Sequence, residues 1–184
     1  MHHIRISGLF LAIFLTAPAV GQTVTVPKAP AMLEHKVAKY KIAIQVPRTW
    51  RRSENIGREI FARTGNIDGI ESTCMIRLTS ITELRNTTPQ DFVNAMSKEK
   101  FLEMASIAGS KPDVHVFDTA LLGGLVARRT IHTQPFSGVP LTYLTHQAVR
   151  GPDVFTVSCY ADQVNFPSVI GTFGMIIGTT RFLP

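Results

Sequence analysis

The chain has 184 residues, 45% of them hydrophobic, which is enough to bury a core in one domain of ordinary size. Nineteen lysines and arginines against thirteen acidic residues give a net charge of +6. The two cysteines lie in no CxxC or Cys/His cluster, so the sequence near them supplies no further ligands for a thiolate metal site.

Met1 to Arg5 is a short cationic start, and Ile6 to Ala17 is a mostly apolar run of 12 residues. Pro18 and the small stretch Ala19-Val20-Gly21 follow, with Ala19 and Gly21 at the −3 and −1 places of a cleavage site. That order predicts a signal peptide over residues 1–21. Twelve apolar residues fall short of the roughly 17 to 25 that span a bilayer, so no membrane span is expected after cleavage. The mature chain, Gln22 to Pro184, has 163 residues and, without Arg5, a net charge of +5. It is expected to be periplasmic or secreted. An exported basic protein rarely meets nucleic acid, so the charge points to an acidic envelope or secreted protein, or to an anionic surface. In that compartment disulfides form, and Cys74 and Cys159 are expected to pair.

Residues 22–35 contain Pro27 and Pro30 and no sustained period, and read as a flexible leader to a single domain over 36–184. Tyr40 to Val46 alternates as a half-buried strand. Arg58 to Thr64 and Ile70 to Ile81 read as two more, with Gly65 to Gly69 as the turn between them. The longer strand puts Cys74 on one face with Ile76 and Leu78. Thr88 followed by Pro89 and Asp91 opens a helix that fades by Gly109. Four strands come next: Val114 to Leu122, Leu125 to Thr133, Leu141 to Val149 and Val154 to Ala161. Gly123-Gly124, Pro135 to Pro140 and Gly151-Pro152 punctuate them. A second helix, Phe166 to Gly178, is apolar nearly all round and too short to span a membrane, so it reads as a core helix. The order βββ-α-ββββ-α predicts an α+β fold: a mostly antiparallel sheet of about six to seven strands covered by two main helices.

That order resembles the PsbP-like fold, shared by the chloroplast lumen protein of that name and the bacterial periplasmic DcrB group. The opening Tyr40-Lys41-Ile42-Ala43-Ile44-Gln45-Val46-Pro47-Arg48-Thr49-Trp50 is similar to that fold's first strand, which ends in a proline and a tryptophan. Gly123-Gly124-Leu125-Val126-Ala127-Arg128 resembles its glycine hairpin, and Thr179-Thr180-Arg181-Phe182 fits its close. The resemblance implies accessory and binding roles, and no functional residue is carried over from it.

The sequence contains no GxSxG, HExxH, GxxxxGK[ST] or GxGxxG, and nothing calls for a cofactor. Ser158 precedes Cys159, but a cysteine there serves better in a bridge than as a nucleophile. Arg48, Arg51 and Arg52 with Trp50 form the densest basic stretch, either a contact patch for a partner or a core tryptophan between solvated arginines. Thr88 is better explained as a helix cap than as the end of the glycosylation-type triplet Asn86-Thr87-Thr88. His115 and His132 (with His146) lie on predicted strands, as weak metal candidates or as polar positions of a sheet.

A Gly123-Gly124 turn makes opposed residue numbers sum to a constant, so Leu122 faces Leu125 and Asp118 faces Arg129 as an ion pair. The same register sets His115 opposite His132. The functional expectation is an exported accessory or binding protein acting through a surface contact. The alternatives are an immunity or inhibitor protein against a secreted partner, and a small envelope hydrolase. Protein recovered from the exported fraction is expected to begin within a few residues of Gln22 by N-terminal sequencing; a species retaining Met1 in the membrane overturns the export assignment.

Overall fold

The computed structural model describes residues 30–53, 60–106 and 110–184. The expected signal peptide and residues 22–29 of the expected leader lie outside them. The remainder of that leader differs from expectation, because Met32–Val37 is a strand, β1. It runs antiparallel to β2, Ile42–Pro47, with Leu33 opposite Val46 and His35 opposite Ile44. Its own apolar pattern is weak; the ladder to β2 and the Arg181–Glu34 ion pair at 2.6 Å hold it. The short β10, Arg181–Phe182, pairs with the other edge of β2 and completes a three-stranded sheet. As its middle strand, β2 buries Ile42, Ala43, Ile44 and Val46 on both faces rather than one.

The main sheet has seven antiparallel strands: β3 Arg51–Arg52, β4 Phe61–Ile67, β5 Ile70–Ser80, β6 Asp113–Leu122, β7 Leu125–Phe136, β8 Val139–Arg150 and β9 Asp153–Asp162. Their lateral order is β3-β4-β5-β9-β8-β7-β6. Three helices accompany them: α1 Pro89–Ala95, α2 Lys98–Ala105 and α3 Phe166–Gly178. The fold is α+β, as the order of elements implies.

Three hairpins close on two-residue turns with both residues at positive φ: Asp68-Gly69, Gly123-Gly124 and Ser137-Gly138. The turn expected over Gly65 to Gly69 is therefore confined to its last two residues, and Gly65 lies inside β4. Its glycine serves packing: a Cβ there would stand 2.4 Å from Cδ1 of Trp50. Likewise Pro135 and Pro140 are not loop residues but face each other near the tip of β7–β8. Neighbouring strands β6 and β9 reach only Thr133 and Leu141, so few ladder donors are needed there.

The single helix expected after Thr88 is two. Met96 leaves helical geometry with ψ at 91°, and Ser97 starts α2 by accepting from the Lys100 amide at 3.2 Å. Both helices lie on one face of the main sheet, where Phe92, Val93 and Phe101 pack with Val149, Val154 and Phe117. The other face carries Ile76, Leu144, Phe155 and Val157 under α3 and β2, forming the principal core.

Cys74 and Cys159 stand directly opposite each other on β5 and β9 and are disulfide-bonded, with their Cα atoms 4.0 Å apart. The bridge closes a chain separation of 85 residues. Replacing both cysteines with serine is expected to cost about 4 to 5 kcal/mol of stability on the chain-entropy account, measured as a lower denaturation midpoint. An unchanged midpoint refutes that assignment.

Candidate functional site

The register that opposes Cys74 and Cys159 on the core face also opposes their neighbours on the other. Thr64, Thr73, Tyr160, Tyr143 and His132 thus form one row across β4, β5, β9, β8 and β7. Thr73 donates to the Thr64 hydroxyl at 2.9 Å. Tyr160 and Tyr143 lie 4.9 Å apart between ring centroids, and Tyr143 stacks on His132 at 5.0 Å with an interplanar angle of 7°. A second row holds Ser158 and Thr145, whose buried hydroxyls share a 2.8 Å hydrogen bond, and Thr130. Ser158 is thereby buried and tied to a neighbouring hydroxyl.

Phe101 of α2 meets the His132 ring edge-on at 5.2 Å, closing one half of this face. The other half is open, as a groove of about 850 Å³. Its floor includes Thr73 and Tyr160, one wall Arg51 and Arg52, and the opposite wall Phe136 and Val139. The ribbon that carries Phe136 and Val139 projects past its neighbours, leaving these side chains 61% and 50% exposed. Asp162, at the groove's end, accepts from the amides of Val164 and Asn165 at 3.1 and 3.0 Å and from Asn165 Nδ2 at 2.8 Å. Those bonds hold its carboxyl below the usual range and organise the turn into α3.

Burial raises the Tyr160 phenol, against the Thr73 hydrogen bond and with the Glu71 charge, and pushes Tyr143 up to about 12. Burial drives His132 down to about 4, with the nearby His115 adding to the shift. These groups keep one protonation state across the neutral range.

The expected site residues separate. Arg48, Arg51 and Arg52 are exposed, but Trp50 is 5% exposed and belongs to the core, so it is no surface contact. His115 and His132 do not face each other: the register shifts between Val114 and Val116, pairing Val114 with His132. His115 instead meets the Thr133 hydroxyl at 2.9 Å and lies 3.8 Å from Asp113. Among the described residues no group of three His, Cys, Asp or Glu is placed to hold a metal.

Asp118 does face Arg129, which donates through Nε to Oδ1 at 2.8 Å and through a second nitrogen to Oδ2. The Arg129 hydrogen bond holds Asp118 below the ordinary carboxylate range. Tyr160, Thr73, Phe136 and Val139 were not legible as a site. A local trace exists for Tyr160 alone: hydroxyl-bearing residues at alternate positions, Tyr143 and Thr145 on β8 and Ser158 and Tyr160 on β9.

No family model matches the chain, and no curated protein does. Solved structures resemble it in fold. Cyanobacterial PsbP (CyanoP) from Synechocystis sp. PCC 6803 superposes with a TM-score of 0.57 at 11% identity, over 89% of this chain and 98% of that one. LpqN, involved in cell envelope biogenesis of Mycobacterium tuberculosis, gives 0.53 at 15%, over 84% and 91%. A protein of unknown function from Pseudomonas aeruginosa gives 0.51 at 13%, over 83% and 96%. The fold is therefore PsbP-like, in agreement with the resemblance of its motifs.

His132 yields a pH prediction. Its folded pKa lies below its usual 6.5, so the stability it contributes is present above that pH and is lost as pH falls toward 4. Across that window the loss is expected to be about 3 kcal/mol by the linkage relation. Denaturation midpoints of His132→Gln should fall less steeply with acid than those of the native chain; parallel profiles contradict it.

Proposed function

We propose that this chain works outside the cytoplasm as an accessory protein, binding another envelope or secreted protein in the open groove without a chemical step. The carrying observation is the junction of unlike surfaces at one groove, with Arg51 and Arg52 facing the exposed Phe136 and Val139. Aromatic anchors beside a polar, charged rim are the usual anatomy of a protein interface. The arginines favour an acidic partner segment. The floor supports binding over catalysis, since Tyr160 retains its proton and Thr73 and Thr64 are bonded to each other. Export is supported by the order of the first 21 residues and by the disulfide. LpqN, with the same fold, supports an envelope setting.

Crosslinking in the native envelope should capture a partner that contacts both walls. Arg51→Glu and Phe136→Ser change exposed side chains and should leave the denaturation midpoint in place, yet each should weaken the captured complex about tenfold or more. Undiminished capture by both variants overturns the reading. Turnover of an envelope substrate that is lost in Tyr160→Phe would favour the hydrolase instead.

A further inference from the structure

A second, smaller cavity of about 250 Å³ opens on the far side of Arg52 from the groove, where β3 and β4 meet the turn after β1. Lys39, Tyr40, Arg52, Phe61 and Arg63 line it, and no carboxylate side chain is among its described lining residues. Arg52 and Arg63 are directly opposed on antiparallel strands, an arrangement that is unfavourable for like charges. Arg63 is nonetheless held in place. Its guanidinium carbon lies 5.3 Å from the centre of the Phe61 ring, and one terminal nitrogen donates to His35 Nδ1 at 3.3 Å. Its Nε is buried with no hydrogen-bond partner, which costs the desolvation of a donor for no return.

We propose that Arg52 and Arg63, with His35 beside them, form a binding site for a tetrahedral oxyanion, a phosphate or sulfate group. Such a group separates two opposed guanidinium charges and accepts from terminal nitrogens of a guanidinium that the Phe61 ring and His35 already orient. Guanidinium forks match the spaced oxygens of such anions. A carboxylate supplies fewer oxygens for the same pair of forks. The cavity shares Arg52 with the groove but neither Arg51 nor Phe136, so Arg51→Glu and Phe136→Ser, which test the groove, should leave sulfate binding here unchanged.

His35 reports on the site. Burial and the Arg63 charge hold its pKa below the usual value, and burial, with the Arg52 charge, does the same to Arg63. The groups facing His35 are Arg63 and Phe61 from β4; on β2 its cross-strand partner is the apolar Ile44, and its neighbour Glu34 is engaged by Arg181. An anion seated on Arg63 offsets that charge, so His35 should titrate higher when the site is filled, and binding should tighten as pH falls.

The test is an NMR titration of the His35 ring in the full disulfide-bonded protein, with sulfate as a probe that does not itself titrate near neutral pH. Sodium chloride at equal ionic strength controls for screening. Sulfate is expected to raise the His35 pKa where chloride does not, with affinity about tenfold weaker in Arg52→Gln, which loses a charge-assisted pair of donors. Arg52 is exposed, so that variant tests the site even if Arg63→Gln fails to fold. Phosphatidylglycerol vesicles, compared with phosphatidylcholine, assign the source: retention lost in Arg52→Gln identifies a lipid headgroup, and sulfate binding without retention identifies a free ion. A His35 shift equal in chloride and sulfate, or unchanged in Arg52→Gln, overturns the proposal.

Discussion

The pairing of β5 with β9 organises this molecule, and the Cys74–Cys159 bridge secures it. It joins the half of the main sheet built before α1 to the half built after α2, across a separation of 85 residues. Such contacts cost loop-closure entropy before any packing is gained, and a covalent link removes much of that cost from the unfolded chain. It also sets the register. With both cysteines on the core face, Thr73 and Tyr160 must oppose each other on the reverse face. A slip by one residue would exchange the faces of every side chain. Core closure and the floor of the groove thus follow from one alignment.

The two faces of that sheet have different chemistry and different covers. Ile76, Leu144, Phe155 and Val157 lie beneath α3 and β2; α3 buries Val169, Phe173, Ile176 and Ile177 and leaves Gly171, Gly174 and Met175 exposed. The reverse face carries hydroxyls and aromatic rings; α1 and α2 close over only part of it, where Phe92, Val93 and Phe101 supply apolar contact. The uncovered part is the groove. Polar groups there are satisfied among themselves, so the face can stand open to water without leaving the core short of cover.

Charge follows a similar division. Arg129 stands on the apolar face between Ala127 and Ile131, but close to the sheet edge at β6, where Asp118 meets it with two hydrogen bonds. The bulge at Val114–Val116 and the charges along β6 also protect an otherwise long edge strand. At the opposite edge Arg52 and Arg63 oppose each other with no such partner among the described residues lining their cavity. Arg52 belongs to the densest basic stretch of the sequence, but its opposition to Arg63 appears only when β3 folds against β4.

Local pattern was sufficient wherever the physics is local. Alternation located most strands, Thr88 and Pro89 marked the start of α1, and the two-residue Gly123-Gly124 turn dictated partners from Leu122–Leu125 to Val116–Ile131, with Asp118 on Arg129 among them. The rule stopped at His115, where a bulge with no sequence signature shifts the register. Tertiary contacts decided the rest. Gly65 looks like turn punctuation but is small because Trp50 rests on it, and Pro135 and Pro140 look like loop residues but occupy a ribbon whose outer donors few strands need. The row from Thr64 to His132 joins two runs of consecutive strands, β4–β5 and β7–β8–β9, and exists because β5 pairs with the distant β9. Periodicity assigns each residue a face within its own strand; which strands lie side by side depends on long-range burial and on the disulfide, and so the groove existed only in the folded chain.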